Sequence, residues 1–447
     1  MPQDAQGLAI TAASDEAAAA YDHTIQGYLT YRADGGLRLK ELLAIDADMP
    51  MAHVLKGAFG MLAYNAAHVP RARDAAAAAA RLAGTDREAS HAAALALWAE
   101  GDLDGALAAW EAIMAAHPHD ILAFRLHHFS AFWLGRAGVM LRAVEAVAPR
   151  WSAAIPGYGS ILACRCFAHE ESGNYAVAEE AGRAAVALDP GDLWATHGVA
   201  HIMEMQGRRG EGIAWLKALE PHWEGGSNLL HHLWWHRALY HLERGEHAEV
   251  LALYDRGFRN RDSALFQAMP DLYIDVQNAA SMLFRLQRQG VDVGDRWVEL
   301  ADKAEARIGD CLSTFTLPHW MMALAATGRT QAAARMLDAM RDAATRRDTI
   351  APILRDSAIP VCEAVLAHAQ GDHARAVAVM RPAIGVMHRM GGSHAQQDVL
   401  EQLFLDAAMK AGAQEDARLL LERVAGRHPV APDRRAGYAE AARSIRH

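Results

Sequence analysis

The sequence predicts an all-α solenoid, a right-handed superhelix of stacked helical hairpins, and three observations predict it. At 447 residues the chain is longer than one compact core accommodates, so it forms either several domains or a quasi-linear array. Runs of alternating Val, Ile and Thr that would read as strands are nearly absent, whereas alanine is abundant and charged residues make up 22%. One pattern also recurs along the chain: a helical stretch, a turn Gly, an Ala five positions later, an apolar or aromatic residue four beyond that, and often a closing Pro.

The clearest copy is Gly173, Asn174, Tyr175, Ala178, Ala185, Pro190. Others run Gly101, Ala106, Trp110, Pro118; Gly207, Gly212, Ala218, Pro221; Gly245, Val250, Tyr254; Gly328, Ala333, Leu337; Gly371, Ala376, Met380; and Gly412, Ala417, Leu421, Pro429. Each residue type has a mechanical reason. Gly ends the first helix in a left-handed conformation, the small residue lets the second helix approach closely, and Pro opens the next unit. One hairpin cannot bury its apolar face alone, so successive hairpins stack, as in tetratricopeptide repeats. The pattern is irregular between Gly257 and Gly328, where longer helices or insertions intervene.

The expected organisation is an N-terminal leader, partly flexible, over 1–20, a tetratricopeptide-like array over 21–430, and a C-terminal capping helix over 431–447, with no independent second domain. The alanine run 74–83 reads as a strong helix, 297–307 as an amphipathic one, and 256–270 as a connection.

A formal charge of -10 and the lack of a Lys/Arg stripe interleaved with aromatics argue against nucleic acid. Cys164 and Cys166 sit two apart on a helix and point away from each other, which makes a poor chelate and fits a reducing compartment. The first 13 residues carry one acidic side chain, Asp4, and no basic region, unlike a secretory signal, and no apolar run reaches 18 residues. A soluble, cytoplasmic protein is expected, without a membrane partner. Phosphate loops, nucleophile elbows and dinucleotide fingerprints are not found.

In such repeats the first helix of each hairpin lines the concave face, with side chains 13, 10, 9, 6 and 3 residues before the turn Gly pointing inward. From Gly207 this stripe holds His197, His201 and Glu204; from Gly245, His232, Trp235 and His236. Gly101 adds Glu88 and His91, Gly173 adds Ser160, Cys164, Phe167 and Glu170, and Gly328 adds His319. Histidine therefore gathers on one surface. His197/His201 and His232/His236 are both i, i+4 pairs on neighbouring first helices, so four imidazoles could serve one divalent transition metal. Equally, they could hydrogen-bond to the next helix, or act without metal in recognition or acid-base work. Glu204, one turn beyond His201, is placed to act as a ligand, an orienting group or a general base. Trp235 offers a flat apolar wall. Near the C-terminus, Gly391 and Gly392 close a helix, and Ser393 with Gln396 forms a capping-box pattern.

Over nearly its whole length the chain resembles the tetratricopeptide repeat protein 38 family. The resemblance is carried by His91, Trp110 and Pro118; Val199-Ala200-His201 with Glu204; His232, Trp235 and His236; Ser281 to Leu286; Phe315 with His319; and Gly391-Gly392-Ser393 with Gln396 and Asp398. It also includes His53 and His128, whereas His231, Trp234 and His394 depart from it. The resemblance implies a fold and shared groove residues, not a substrate.

A groove of His, Trp and Glu differs from the Lys, Arg and Asn of peptide clamps, and suits a small molecule. The first expectation is a small-molecule ligand contacted by His91, His197, His232, Trp235 and His319. The second is an enzyme in which His197, His201, His232 and His236 bind metal and Glu204, His201 and His236 are catalytic. The third is a protein-interaction scaffold binding a peptide in the groove. Assembly as a homo-oligomer is compatible with all three.

Overall fold

The computed structural model describes residues 1–445, and among them the only extended pairing is two isolated bridges, Gln3 with Ala9 and Arg32 with Gly226. Everything else that is regular is helical. Internal contacts divide the chain into two compact units. One comprises residues 1–132, 136–199 and 219–229; the other comprises 133–135, 200–218 and 230 onward.

The first unit contains α1 (Asp15–Leu29), α2 (Gly35–Ile45), α3 (Pro50–Leu62), α4 (Val69–Leu82), α5 (Asp86–Ala99), α6 (Leu103–Ala116), α7 (Ile121–Trp133), α8 (Ala137–Val147), α9 (Tyr158–Glu170), α10 (Tyr175–Leu188) and the first half of α11 (Leu193–Met205). The second continues α11 and adds α12 (Arg209–Leu219), α13 (Leu229–Glu243), α14 (His247–Leu253), α15 (Ala264–Ala268), α16 (Tyr273–Arg288), α17 (Arg296–Ala306), α18 (Thr316–Ala326) and α19 (Thr330–Ala343). It ends with α20 (Ala351–Ile353), α21 (Ile359–Ala369), α22 (His373–Met380), α23 (His394–Lys410), α24 (Gln414–Arg427) and α25 (Ala439–Ile445).

Nine turns share one construction. Gly101, Gly135, Gly173, Gly207, Gly245, Gly290, Gly328, Gly371 and Gly412 have φ between +65° and +88°. In each, the next residue's N–H reaches back to the carbonyl five residues earlier, as Arg208 does to Met203 at 2.8 Å. This closes the first helix on a left-handed residue and satisfies an otherwise orphaned carbonyl. Gly135 and Gly290 fall outside the sequence pattern, with Met140 and Asp295 five positions on. Where the pattern does hold, it marks close packing: Ala106, Ala178, Ala333, Ala376 and Ala417 are fully buried. Trp110 meets Trp98 edge to face at 5.5 Å, locking α5 to α6.

Gly135 is doubly constrained, by its left-handed φ and by a backbone crossing at which an added Cβ would overlap the His388 carbonyl. Gly135→Ala should therefore cost more than the ~1–2 kcal/mol that left-handed backbone alone imposes on an L-residue. A urea titration should show a lowered midpoint; an unchanged midpoint would place that crossing elsewhere.

Residues 1–14 of the expected leader run along the first unit with Asp4 and Ile10 buried, and α1 begins within it at Asp15, capped by Ser14. The expected capping segment holds a short turn, Pro432–Arg434, and α25; residues 446 and 447 lie outside the described residues. No described helix is long and apolar enough to cross a membrane. All four cysteines are free and buried.

Candidate functional site

The second unit has an unusually polar interior. α13 is buried around most of its circumference, with Leu233, Ala238 and Tyr240 buried as well as His232, Trp235 and His236. Such a helix needs partners on every face, and its polar side chains need hydrogen bonds or ligands. Tyr240 takes one such partner, donating to the Ala200 carbonyl of α11 at 2.6 Å.

Against this face stands His201 of α11. Its ring lies 4.4 Å from that of His236, which in turn lies 4.8 Å from His232. The three are at most 2% exposed, and each offers a ring nitrogen within 4.8 Å of the others. Trp235 stacks almost parallel on His232 at 5.0 Å and meets His236 edge-on at the same distance. His197 sits one turn before His201 in the sequence of α11 and belongs to the first unit. Its ring stacks on Trp194 at 4.7 Å in the first unit.

Burial keeps His201 and His232 neutral. The His232 pKa is pushed down to about 4 by desolvation, against a raising hydrogen bond to the Asn278 amide oxygen. His201 falls well below its ordinary value through burial and the nearby His232 and His394. The Asn278 amide oxygen lies 2.7 Å from His232 Nδ1, where it can accept from an Nδ1–H. A hydrogen bond behind one ring nitrogen is the usual way to orient a metal-binding imidazole. Tetrahedral coordination at about 2.0–2.1 Å places donor atoms about 3.3 Å apart, closer than the 4.8 Å within which these nitrogens lie.

The other expected ligand contacts fall in different places. His319 directs Nδ1 to the Phe315 carbonyl at 2.8 Å and is also held neutral by burial, its pKa down to about 4. His91 belongs to a buried ion network of the first unit, 2.9 Å from Asp120. Glu88 there accepts from Thr11 and the Gly84 and Thr85 amides, so its carboxylate serves the chain entry to α5. Ser393 and Gln396 form the expected capping box of α23, with both reciprocal bonds present.

Glu204 is placed differently from its histidine neighbours. Its Oε2 is buried without a hydrogen-bond partner, and its pKa rises to about 8. Desolvation is the main cause, with Glu243 and Asp398 adding repulsion and Arg435 and Arg285 opposing it. At neutral pH it is a carboxylic acid, able to donate as well as accept.

Arg285, Asp398 and Arg435 beside it are the functional candidates that repeat reasoning missed. Asp398 accepts from Arg435 and Gln402 at 2.6 Å, from Tyr438 at 2.6 Å and from Arg285 at 3.4 Å, which holds its carboxyl far below the usual range. Arg285 also lies 5.8 Å from the Trp235 ring. Without the Gly290 turn, α16 has no assigned register, and Arg435 lies beyond the last hairpin. No family model matches the sequence.

Proposed function

We propose that the protein binds a small molecule through a divalent transition metal held by His201, His232 and His236. The observation that carries this reading is the convergence of buried ring nitrogens within 4.8 Å, with His201 and His232 held neutral. An all-imidazole set suits zinc, nickel, cobalt, copper or iron rather than calcium or magnesium, which prefer oxygen. Three strong ligands would leave a position for water or a ligand oxygen. In this reading the hairpins form a tetratricopeptide-type superhelix related to the tetratricopeptide repeat protein 38 family, and the free cysteines fit a cytoplasmic location.

A second reading, an enzyme, is favoured by Glu204. A buried acid one turn from His201, with a pKa near 8, is suited to exchange a proton with a metal-bound water or ligand at neutral pH.

Elemental analysis tests the first reading directly. Purified protein should hold about one transition metal per chain, and cobalt added to metal-free protein should give the visible bands of a tetrahedral site. The His232→Ala/His236→Ala variant should lose at least ~100-fold in metal affinity while keeping its far-UV dichroism. Failure of wild-type protein to take up zinc, cobalt or nickel would sink the reading.

A further inference from the structure

One turn along from the histidines, the second unit encloses a cavity of about 30 Å³ lined by α11, α13, α16, α23 and the segment around Arg435. His201 to Glu204 on α11 and His236 to Leu239 on α13 each advance about 4.5 Å along their helices. The cavity and the histidine cluster are therefore successive layers of one interior.

The polar groups around the cavity do not balance. Asp398 has both oxygens occupied, Oδ1 by Arg435 and Tyr438 and Oδ2 by Gln402 and Arg285. Arg435 Nη1 nevertheless remains buried without an acceptor, as does Oε2 of Glu204 without a partner. Three guanidiniums line the space, those of Arg209, Arg285 and Arg435, against the carboxylates of Asp398 and Glu243 once Glu204 holds its proton. A guanidinium and a carboxylic acid facing one small space both have hydrogens to donate, and the surplus is one positive charge. Buried donors of this kind are stabilised by an anion that accepts from both.

We propose that this cavity receives the carboxylate of a monoanionic small molecule, held by Arg435, Arg285 and Glu204, whose remaining atoms extend one helical turn to the His201–His232–His236 cluster. The ligand class is then a short carboxylic acid carrying a second oxygen or nitrogen donor about 4–5 Å from the carboxylate. A planar carboxylate matches the single surplus charge, the small volume and the geometry of a guanidinium; phosphate carries too much charge and bulk. Only the position of the second donor rests on the metal reading, since the carboxylate pocket is built from other residues.

Calorimetry with defined probes tests both parts. On metal-free protein, acetate should bind saturably, inorganic phosphate more weakly and 1-butanol not at all. 4-Hydroxybutyrate should bind at least ~10-fold more tightly to zinc-loaded than to metal-free protein. Arg435→Gln should weaken acetate at least ~10-fold. Should that variant fail to fold, Arg209→Met removes the surplus charge from a partly exposed position and should weaken acetate several-fold. No acetate binding by wild type, tighter phosphate, or unchanged affinity in a folded variant would each overturn the carboxylate site. Equal 4-hydroxybutyrate affinity with and without zinc would break the link between the two layers. A protein that takes no metal but binds acetate as described would remove the metal reading and leave the pocket standing.

Discussion

Asp120→Ala should destabilise the first unit by about 3–5 kcal/mol, the loss expected when a buried ion pair is broken by removing one partner. Asp120 Oδ2 accepts from Arg87 Nη1 and lies against His91 Nε2, both at 2.9 Å, while Oδ1 takes the Ala123 amide at the start of α7. Arg87 continues the network to Asp4 at 3.2 Å and to the Ala9 carbonyl. One substitution would strip a helix cap, take one of two carboxylates from a buried guanidinium and loosen residues 1–14. Asp120→Asn, which keeps the amide oxygen, should lie between the variant and wild type. These environments also predict acid sensitivity. The Asp120 carboxyl is held far below its ordinary 3.8 by His91 and Arg87, against burial. Its contribution is therefore complete above about pH 4 and is lost as pH falls below that. Guanidinium unfolding of wild type and both variants would measure it; a D120A loss under ~1 kcal/mol would mean that the network contributes little.

Glu204→Gln should have the opposite sign and stabilise the protein by on the order of 2–3 kcal/mol at pH 7. Glu204 is protonated when folded, up to about pH 8, but an unfolded glutamate ionises near 4.5. Folding thus takes up a proton between those values. The associated stability is fully present below pH 4.5 and is lost progressively as pH rises to about 8. Glutamine, neutral at every pH, removes that slope. Stability curves at pH 5, 7 and 9 should show the two proteins diverging upward in pH; parallel curves would mean that Glu204 is ionised in the folded state at neutral pH.

Helical periodicity made much of this legible. Turn glycines and small residues at fixed offsets mark hairpins because both are steric requirements of a tight helix pair, and the buried Ala positions bear that out. Gly135 and Gly290 close identical turns but fall outside the pattern. The stripe offsets placed His201, His232 and His236 on first helices, but whether rings from two helices meet depends on how far one slides along the other, which no offset encodes. His91 shows the converse: its register is regular, yet its partner, Asp120, lies 29 residues away at the cap of another hairpin. Arg435 reaches the interior from outside any repeat.

Tyr31 occupies, at φ +53°, the place that glycine takes in the later turns, with Arg32 N–H reaching back to the Gly27 carbonyl. A tyrosine persists there because its far end is anchored: the ring stacks on Trp194 at 5.7 Å and the hydroxyl accepts from the buried Arg125 at 3.1 Å. The loop 224–227 fastens to the same turn through Ala33 to Gly225 and Ser227 to Tyr31 backbone bonds. The first corner of the chain thus behaves as a latch whose bolt is internal. Its amides should exchange with solvent only when Arg125 and Trp194 let go, making this surface turn a gauge of order deep in the first unit.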